Sequence, residues 1–219
     1  MRRRATLTGL AAGVASPARG QDAGAALRAA AAAGDLAALE AVLAGGAPVD
    51  SRDERGRTAL LLATHADRID AAARLIRAGA DVNASDDIRD TPFLYAGAEG
   101  RLAILRLTLA AGADLRSTNR YGGTALIPAA HHGHVETVRA LLATSIDVDH
   151  VNRLGWTALL EAVILGDGGP VYAQIVDLLL AHGANPNLAD RDGRAPLAHA
   201  RSRGFDIIAT RIEAAGGKP

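Results

Sequence analysis

Thr58, Thr91, Thr124 and Thr157 recur at a spacing of 33 residues, and a second set of marks, Gly46, Gly79, Gly112 and Ser145, keeps the same spacing in step with the first. Two anchors locked to one period restrict the chain to a repeat architecture, in which each unit cannot bury its apolar face alone and must stack on its neighbours. The most complete unit runs from Ser117 to Asp149, STNRYGGTALIPAAHHGHVETVRALLATSIDVD. In it Asn119 and Gly122 turn the chain, Thr124 is placed to cap a first helix, Gly133 to stop it, and Val138, Leu141 and Leu142 give a second helix its apolar face. A capping hydroxyl accepts from an orphan amide of the first turn, worth about 1 kcal/mol. The next residue, Ala125 here and Pro92 one unit earlier, sits where proline costs least. Pro128, one turn in, removes only the first intrahelical bond and is expected to tighten that turn without breaking the helix.

The Gly-x-Thr-Ala-Leu opening, the paired helical patterns and the period together resemble the ankyrin repeat family, over roughly nine tenths of the chain from Gln21 onward. The resemblance implies an all-α solenoid of stacked helix-turn-helix units joined by short β-hairpin connections. It also implies a non-enzymatic protein–protein interaction module with no cofactor. The units are expected to be an N-terminal cap at 21–50, repeats at 51–83, 84–116, 117–149 and 150–187, and a C-terminal cap at 188–219. The caps depart from the pattern, as terminal repeats must when one face meets water.

Three inner departures carry expectations of their own. Arg89 stands where Gly56, Gly122, Gly155 and Gly193 turn the other hairpins, and a side chain at positive φ costs about 1 kcal/mol or more, so that hairpin is expected to be distorted. Ser145-Ile146 replaces the Gly-Ala that ends the second helix in Gly79-Ala80 and Gly112-Ala113, at a similar local cost. The fourth unit is five residues longer, and LGDGGPVYAQ reads as a stretched connection between its helices, a cheap lengthening of a surface loop.

Composition limits the function classes. The chain carries 24 basic and 24 acidic residues, which excludes a strongly basic nucleic-acid surface. Half of it is hydrophobic (49%) but only 3% is aromatic, so the interior must be built from Ala and Leu in thin stacked layers without a deep cofactor cavity. There is no cysteine, so disulfides and thiolate chemistry are excluded.

The first twenty residues, MRRRATLTGLAAGVASPARG, place Arg2, Arg3 and Arg4 before a short apolar run and small residues before Gln21. That is the layout of a signal peptide, twin-arginine-like, with cleavage expected after Gly20. It implies a bacterial periplasmic protein that is not inserted in the membrane after processing; the chain is expected to be monomeric.

Candidate chemistry is sparse. His131, His132 and His134 are imidazoles of the kind that bind zinc or copper, giving a metal-handling alternative, but adjacent residues at a helix end point apart. The Gly166 to Gly169 run lacks the Gly-Lys-Ser/Thr of a phosphate loop, and no serine sits in a nucleophile elbow. Glu161 and Asp167 read as a solvated acid and a loop acid. What remains is the choice of residues at hairpin tips and first-helix ends, where the resemblance implies partner contact: Tyr121, Leu154, Trp156, Ile164 and Leu165 as an apolar centre, His131 and His132 beside it, and Arg57, Arg120, Arg153 and Arg194 as a basic rim. The partner is another protein; an accessory role toward an exported enzyme is the alternative.

Overall fold

The computed structural model describes the backbone of residues 17–219 and side chains from Asp22. The basic start and apolar run of the expected signal segment, residues 1–16, lie outside the described residues. The expected cleavage point after Gly20 falls within the first helix.

The described residues form twelve helices: α1 (Pro17–Ala33), α2 (Leu36–Ala44), α3 (Ala59–His65), α4 (Ile69–Arg77), α5 (Pro92–Ala98), α6 (Leu102–Ala110), α7 (Leu126–His131), α8 (Val135–Leu142), α9 (Ala158–Ile164), α10 (Pro170–Ala181), α11 (Pro196–Ser202) and α12 (Asp206–Ala214). They pair as six helical hairpins. The odd-numbered helices stack in one row and the even-numbered in a second, and each packs on the next of its own row and on its hairpin mate. Leu27, Leu60, Phe93, Leu126, Leu159 and Leu197 run through the inner row fully or almost fully buried, and Leu39, Leu75, Leu105, Leu141 and Leu179 do the same in the outer row. Alanines such as Ala63, Ala96, Ala129 and Ala162, all at 0% exposure, let the inner helices approach closely.

The connecting hairpins carry turn bonds rather than strands; no strand occurs among the described residues. Each is built on one acceptor residue. Asp53, Asp86, Asn119, Asn152 and Asp190 each accept, through Oδ1, the amides two and four residues on, at 2.9–3.1 Å. Such a side chain mimics a backbone turn and fixes the hairpin locally.

The Asp86 hairpin corrects the expected distortion. Arg89 adopts φ +68, yet the turn bonds from Arg89 N to Asp86 O (3.1 Å) and from Asp86 N to Asp90 O (3.0 Å) match those of the glycine hairpins. Four bonds around Asp86, two to its carboxylate and two through its backbone, hold Arg89 in the left-handed region, so the strain is absorbed there without reshaping the loop.

The caps follow the sequence in three of the four repeats. Thr58, Thr91 and Thr157 accept from Leu61, Leu94 and Leu160 at 3.1–3.2 Å. Thr124 does not: its Oγ1 is buried and without a partner. The cause is Pro128. With no amide at that position, the Thr124 carbonyl takes the Ile127 amide in a tighter three-residue turn (3.3 Å), and this is the amide the hydroxyl would have received. Pro128 thus tightens the turn as its chemistry requires, and removes the cap in doing so.

The end of α8 also departs from expectation. Ser145 does not enter the positive-φ region taken by Gly79 and Gly112. Instead the helix stops early and Thr144 closes it, its hydroxyl donating to Leu141 O (2.6 Å) and accepting from the Ile146 amide (3.2 Å).

The extra residues of the fourth repeat are not chiefly loop. The connection at residues 165–169 is only modestly longer than its equivalents, and the remainder becomes an added turn of α10, which has 12 residues against 9 in α4 and α6. Proline at its first position favours that start. The insertion is packed on both sides. Tyr172 Oη donates to His131 O (2.8 Å), and Arg203 donates to Gly166 O (3.1 Å) while stacking on Phe205. A side chain at Gly168, φ +77, would collide with the Phe205 ring.

Candidate functional site

The hairpins and the C-terminal ends of the inner helices enclose a groove of about 380 Å³ across the second, third and fourth repeats. Stacking dictates its position. At every repeat the residue four after the capping position lies behind the hairpin, and it is Leu62, Tyr95, Pro128, Glu161 and His199 in turn. The residue two after the hairpin acceptor stands at the tip, and it is Arg55, Ile88, Tyr121, Leu154 and Asp192. The middle three tips are therefore apolar and consecutive, with Ile88, Tyr121 and Leu154 at 50%, 54% and 49% exposure, between charged outer tips.

Of the residues singled out in the sequence, Arg120, Tyr121, His131, His132, Leu154 and Leu165 line this groove. Trp156 and Ile164 are half-buried and do not line it. Three of the four rim arginines are committed elsewhere. Arg57 pairs with Asp53 of its own hairpin (2.7 Å). Arg153 lies across the preceding hairpin and donates to Arg120 O (3.0 Å), close enough that a side chain at Gly122 would meet its stem. Both serve the scaffold, Arg153 by joining one hairpin to the next. Arg194 donates to Ser202 Oγ (3.0 Å) in the C-terminal cap.

The histidines do not converge. His132 Nδ1 donates to Ala98 O (2.6 Å), and its ring stands edge-on to His134 with centroids 5.8 Å apart. His150 Nε2 donates to Gly122 O (2.7 Å), tying its repeat to the one before. Among the described residues no group of three or more His, Cys, Asp or Glu is placed to hold a metal ion. Burial and the neighbouring His132 push the His131 imidazole down, toward its neutral form.

The residue that sequence reasoning misplaced is Glu161. It is a floor residue of the groove rather than a solvated acid, with 6% exposure. Burial pushes its carboxyl up to about 7, against a hydrogen bond from Asn152 and the nearby His132 that favour the charged form. Asn152 Nδ2 donates to Oε1 at 2.8 Å. His131 Nδ1 lies 3.7 Å from Oε2, too far for a hydrogen bond, and with the imidazole neutral the two are neighbours rather than an ion pair. A second acid, Asp90, enters the groove from the second repeat. Burial and the adjacent Asp86 raise its carboxyl, with Arg120 opposing from 3.7 Å. Register alone held the signal: Glu161 occupies the concave position of its repeat, where the first repeat has leucine. The hairpin asparagine nine residues earlier is the donor that makes its burial tolerable.

A buried carboxyl titrating near neutrality is also a group that general acid–base chemistry uses. Here no Ser, Thr, Cys or Lys lines the groove beside it. Its surroundings are aromatic and aliphatic, with Tyr95, Tyr121, Leu154 and Leu165 around a few polar groups, the make-up of a recognition surface.

Comparison with known proteins agrees with this architecture. An ankyrin repeat domain from Acinetobacter baumannii AYE superposes with a TM-score of 0.86 at 61% identity, over 88% of this chain and 98% of that one. The ankyrin repeat protein EF0377 superposes at 0.84 with 40% identity, over 87% and 97%. A putative ankyrin repeat protein of Escherichia coli (strain K12), YahD, is 53% identical over 55 residues, which span 25% of this chain and 27% of that protein. The family described as Ankyrin repeats (3 copies) matches residues 26–119 and 93–190. With the 33-residue period, the two stacked helical rows and these matches in agreement, the chain belongs to the ankyrin repeat family.

Proposed function

We propose that the protein is a non-enzymatic binding module that engages another protein through the groove of its second to fourth repeats, in the compartment to which its signal-like N-terminus directs it. The observation that carries this is the run of three exposed apolar tips, Ile88, Tyr121 and Leu154, of which Tyr121 and Leu154 line a preformed groove between charged outer hairpins. A contiguous apolar surface rimmed by polar residues marks interaction sites far better than isolated exposed leucines do. No helix among the described residues is long and apolar enough to cross a membrane, so the array itself supplies no anchor.

The test is affinity capture from the native bacterium's periplasmic fraction with wild-type protein and with Tyr121→Ala and Leu154→Asp. A partner retained by the wild type and lost by both variants, with thermal midpoints unchanged, is the expected result. Capture indifferent to both substitutions places the interface elsewhere. Intact mass of the native protein tests the export reading: the chain is expected to begin at or near Gln21, and a pool confined to the cytoplasm and beginning at Met1 would overturn it.

A further inference from the structure

Glu161 is tied to the hairpin that forms one side of the groove. Asn152 donates Nδ2 to its Oε1 (2.8 Å), while Asn152 Oδ1 accepts the amides of Leu154 and Trp156 (2.9 and 3.1 Å), so one side chain fixes both the carboxyl and the hairpin tip. Leu165 stands one turn further along the chain, its amide bonded to the Glu161 carbonyl (2.9 Å), and Pro128 holds the equivalent position one repeat earlier. Leu154 and Leu165, 49% and 41% exposed, thus share the groove with a carboxyl that is almost out of water.

The charged groups on the elements packed against Glu161 are engaged with other partners. On α7, His131 Nδ1 lies 3.7 Å from Oε2, beyond hydrogen-bond distance, and burial holds that imidazole toward its neutral form; His132, next to it, bonds Ala98 O. On α11 and its flanks, His199 bonds Asp190, Arg201 pairs with Glu213, Arg194 bonds Ser202 and Arg203 bonds Gly166 O. On α10 and the connection before it, Tyr172 donates to His131 O, Asp177 pairs with Arg211, and Asp167 accepts the Gly169 amide. Arg153 of the same hairpin reaches back to Arg120 O. Asp90, Glu99 and Arg120 enter the groove from the second and third repeats.

An apolar segment laid across Leu154 and Leu165 closes this carboxyl off from water without supplying a donor. A carboxylate covered in that way keeps an uncompensated charge, whereas the protonated acid does not. We propose that the groove takes up an apolar segment of its partner together with a proton on Glu161, so that recognition tightens as pH falls. This rests on the groove being the protein-binding surface proposed above. The carboxyl, raised to about 7 in the free protein, sets the range: affinity is level below that value and falls as pH rises through it, because the proton must then be taken from solution.

The probe is a dodecapeptide selected from a displayed random library on the full chain at neutral pH, with blocked ends, without Asp, Glu or His, and dependent on Tyr121 for binding. Its affinity for the wild type is expected to fall at least about fivefold between about pH 7 and about pH 8.5. Glu161→Gln, which keeps an acceptor for Asn152, should bind equally at both, and His131→Asn should keep the wild-type dependence. Thermal unfolding establishes that both variants are folded. Calorimetry of the wild type at about pH 7.5, in buffers of different ionisation enthalpy, needs no variant and should record uptake of about 0.5 to 1 proton per peptide bound. An affinity that is flat or rises with pH, proton release in place of uptake, or a fall that survives Glu161→Gln or disappears in His131→Asn overturns the linkage and leaves the groove as a binding surface. Failure to select any Tyr121-dependent peptide overturns both.

Discussion

The first and fourth repeats share one scaffold and present opposite surfaces. Both open with a side chain that accepts two hairpin amides, both cap the inner helix with threonine, and both bury the leucine three residues after the cap, Leu61 and Leu160, completely. They differ in what the hairpin acceptor does with its second atom. Asp53 has only acceptors to offer and draws Arg57 onto itself, closing the hairpin as a charged knob. Asn152 has an amide donor, which turns inward and holds Glu161 in the groove floor. The C-terminal cap makes the third version, in which Asp190 bonds His199 Nε2 at 2.6 Å. The second atom of this hairpin residue thus goes to whichever partner its repeat supplies: the hairpin's own Arg57 in the first repeat, or the concave-side Glu161 and His199 in the fourth repeat and the C-terminal cap.

If the scaffold layers are equivalent beneath these surfaces, core truncation should not distinguish them. Leu61→Ala and Leu160→Ala are each expected to cost about 2–5 kcal/mol, the range for a fully buried leucine. Denaturant unfolding measures this, and a large cost in one repeat beside a negligible one in the other would break the equivalence.

A smaller effect separates the surfaces by pH. The fold raises the Glu161 carboxyl from its ordinary 4.5 to about 7, so the folded chain holds a proton there that the unfolded chain has released. Stability from this group is therefore fully present below about 4.5 and lost as pH rises through about 7, by at most about 3 kcal/mol. Glu161→Gln, which keeps an acceptor for Asn152, should be more stable than wild type at pH 8, and the difference should shrink toward pH 4.5. Leu62→Gln at the equivalent position of the first repeat should show no such pH-dependent difference. A wild-type–variant difference flat across that range would place Glu161 in water.

The smallest effect sharpens the shared part of the comparison. Thr58→Val and Thr157→Val should each cost about 1 kcal/mol through loss of the cap bond. Thr124→Val, at the position where Pro128 has already removed that bond, should be neutral or slightly stabilising, because it deletes a buried hydroxyl without a partner. Equal losses at all three positions would show that the Thr124 hydroxyl is satisfied in solution.

The period, the helical pairs and the two-row stack were legible in the sequence because every contact of a solenoid lies within a repeat or between neighbours. Local signals such as the Thr caps at 58, 91 and 157 and the turn at Asn119 are then nearly the whole fold. The apolar tips Tyr121 and Leu154 were legible for the same reason, by register. What only the tertiary structure decided depended on which partner won when two were within reach. The Ile127 amide went to the Thr124 carbonyl and not to its hydroxyl; the inserted residues extended a helix because Tyr172 and Phe205 gave them surfaces to pack on. Arg57 turned to its own hairpin and Arg153 to the preceding one, while Glu161 was buried because Asn152, nine residues away, had a donor to spare. Those outcomes are set by competition among groups brought together in space, which spacing along the chain does not record.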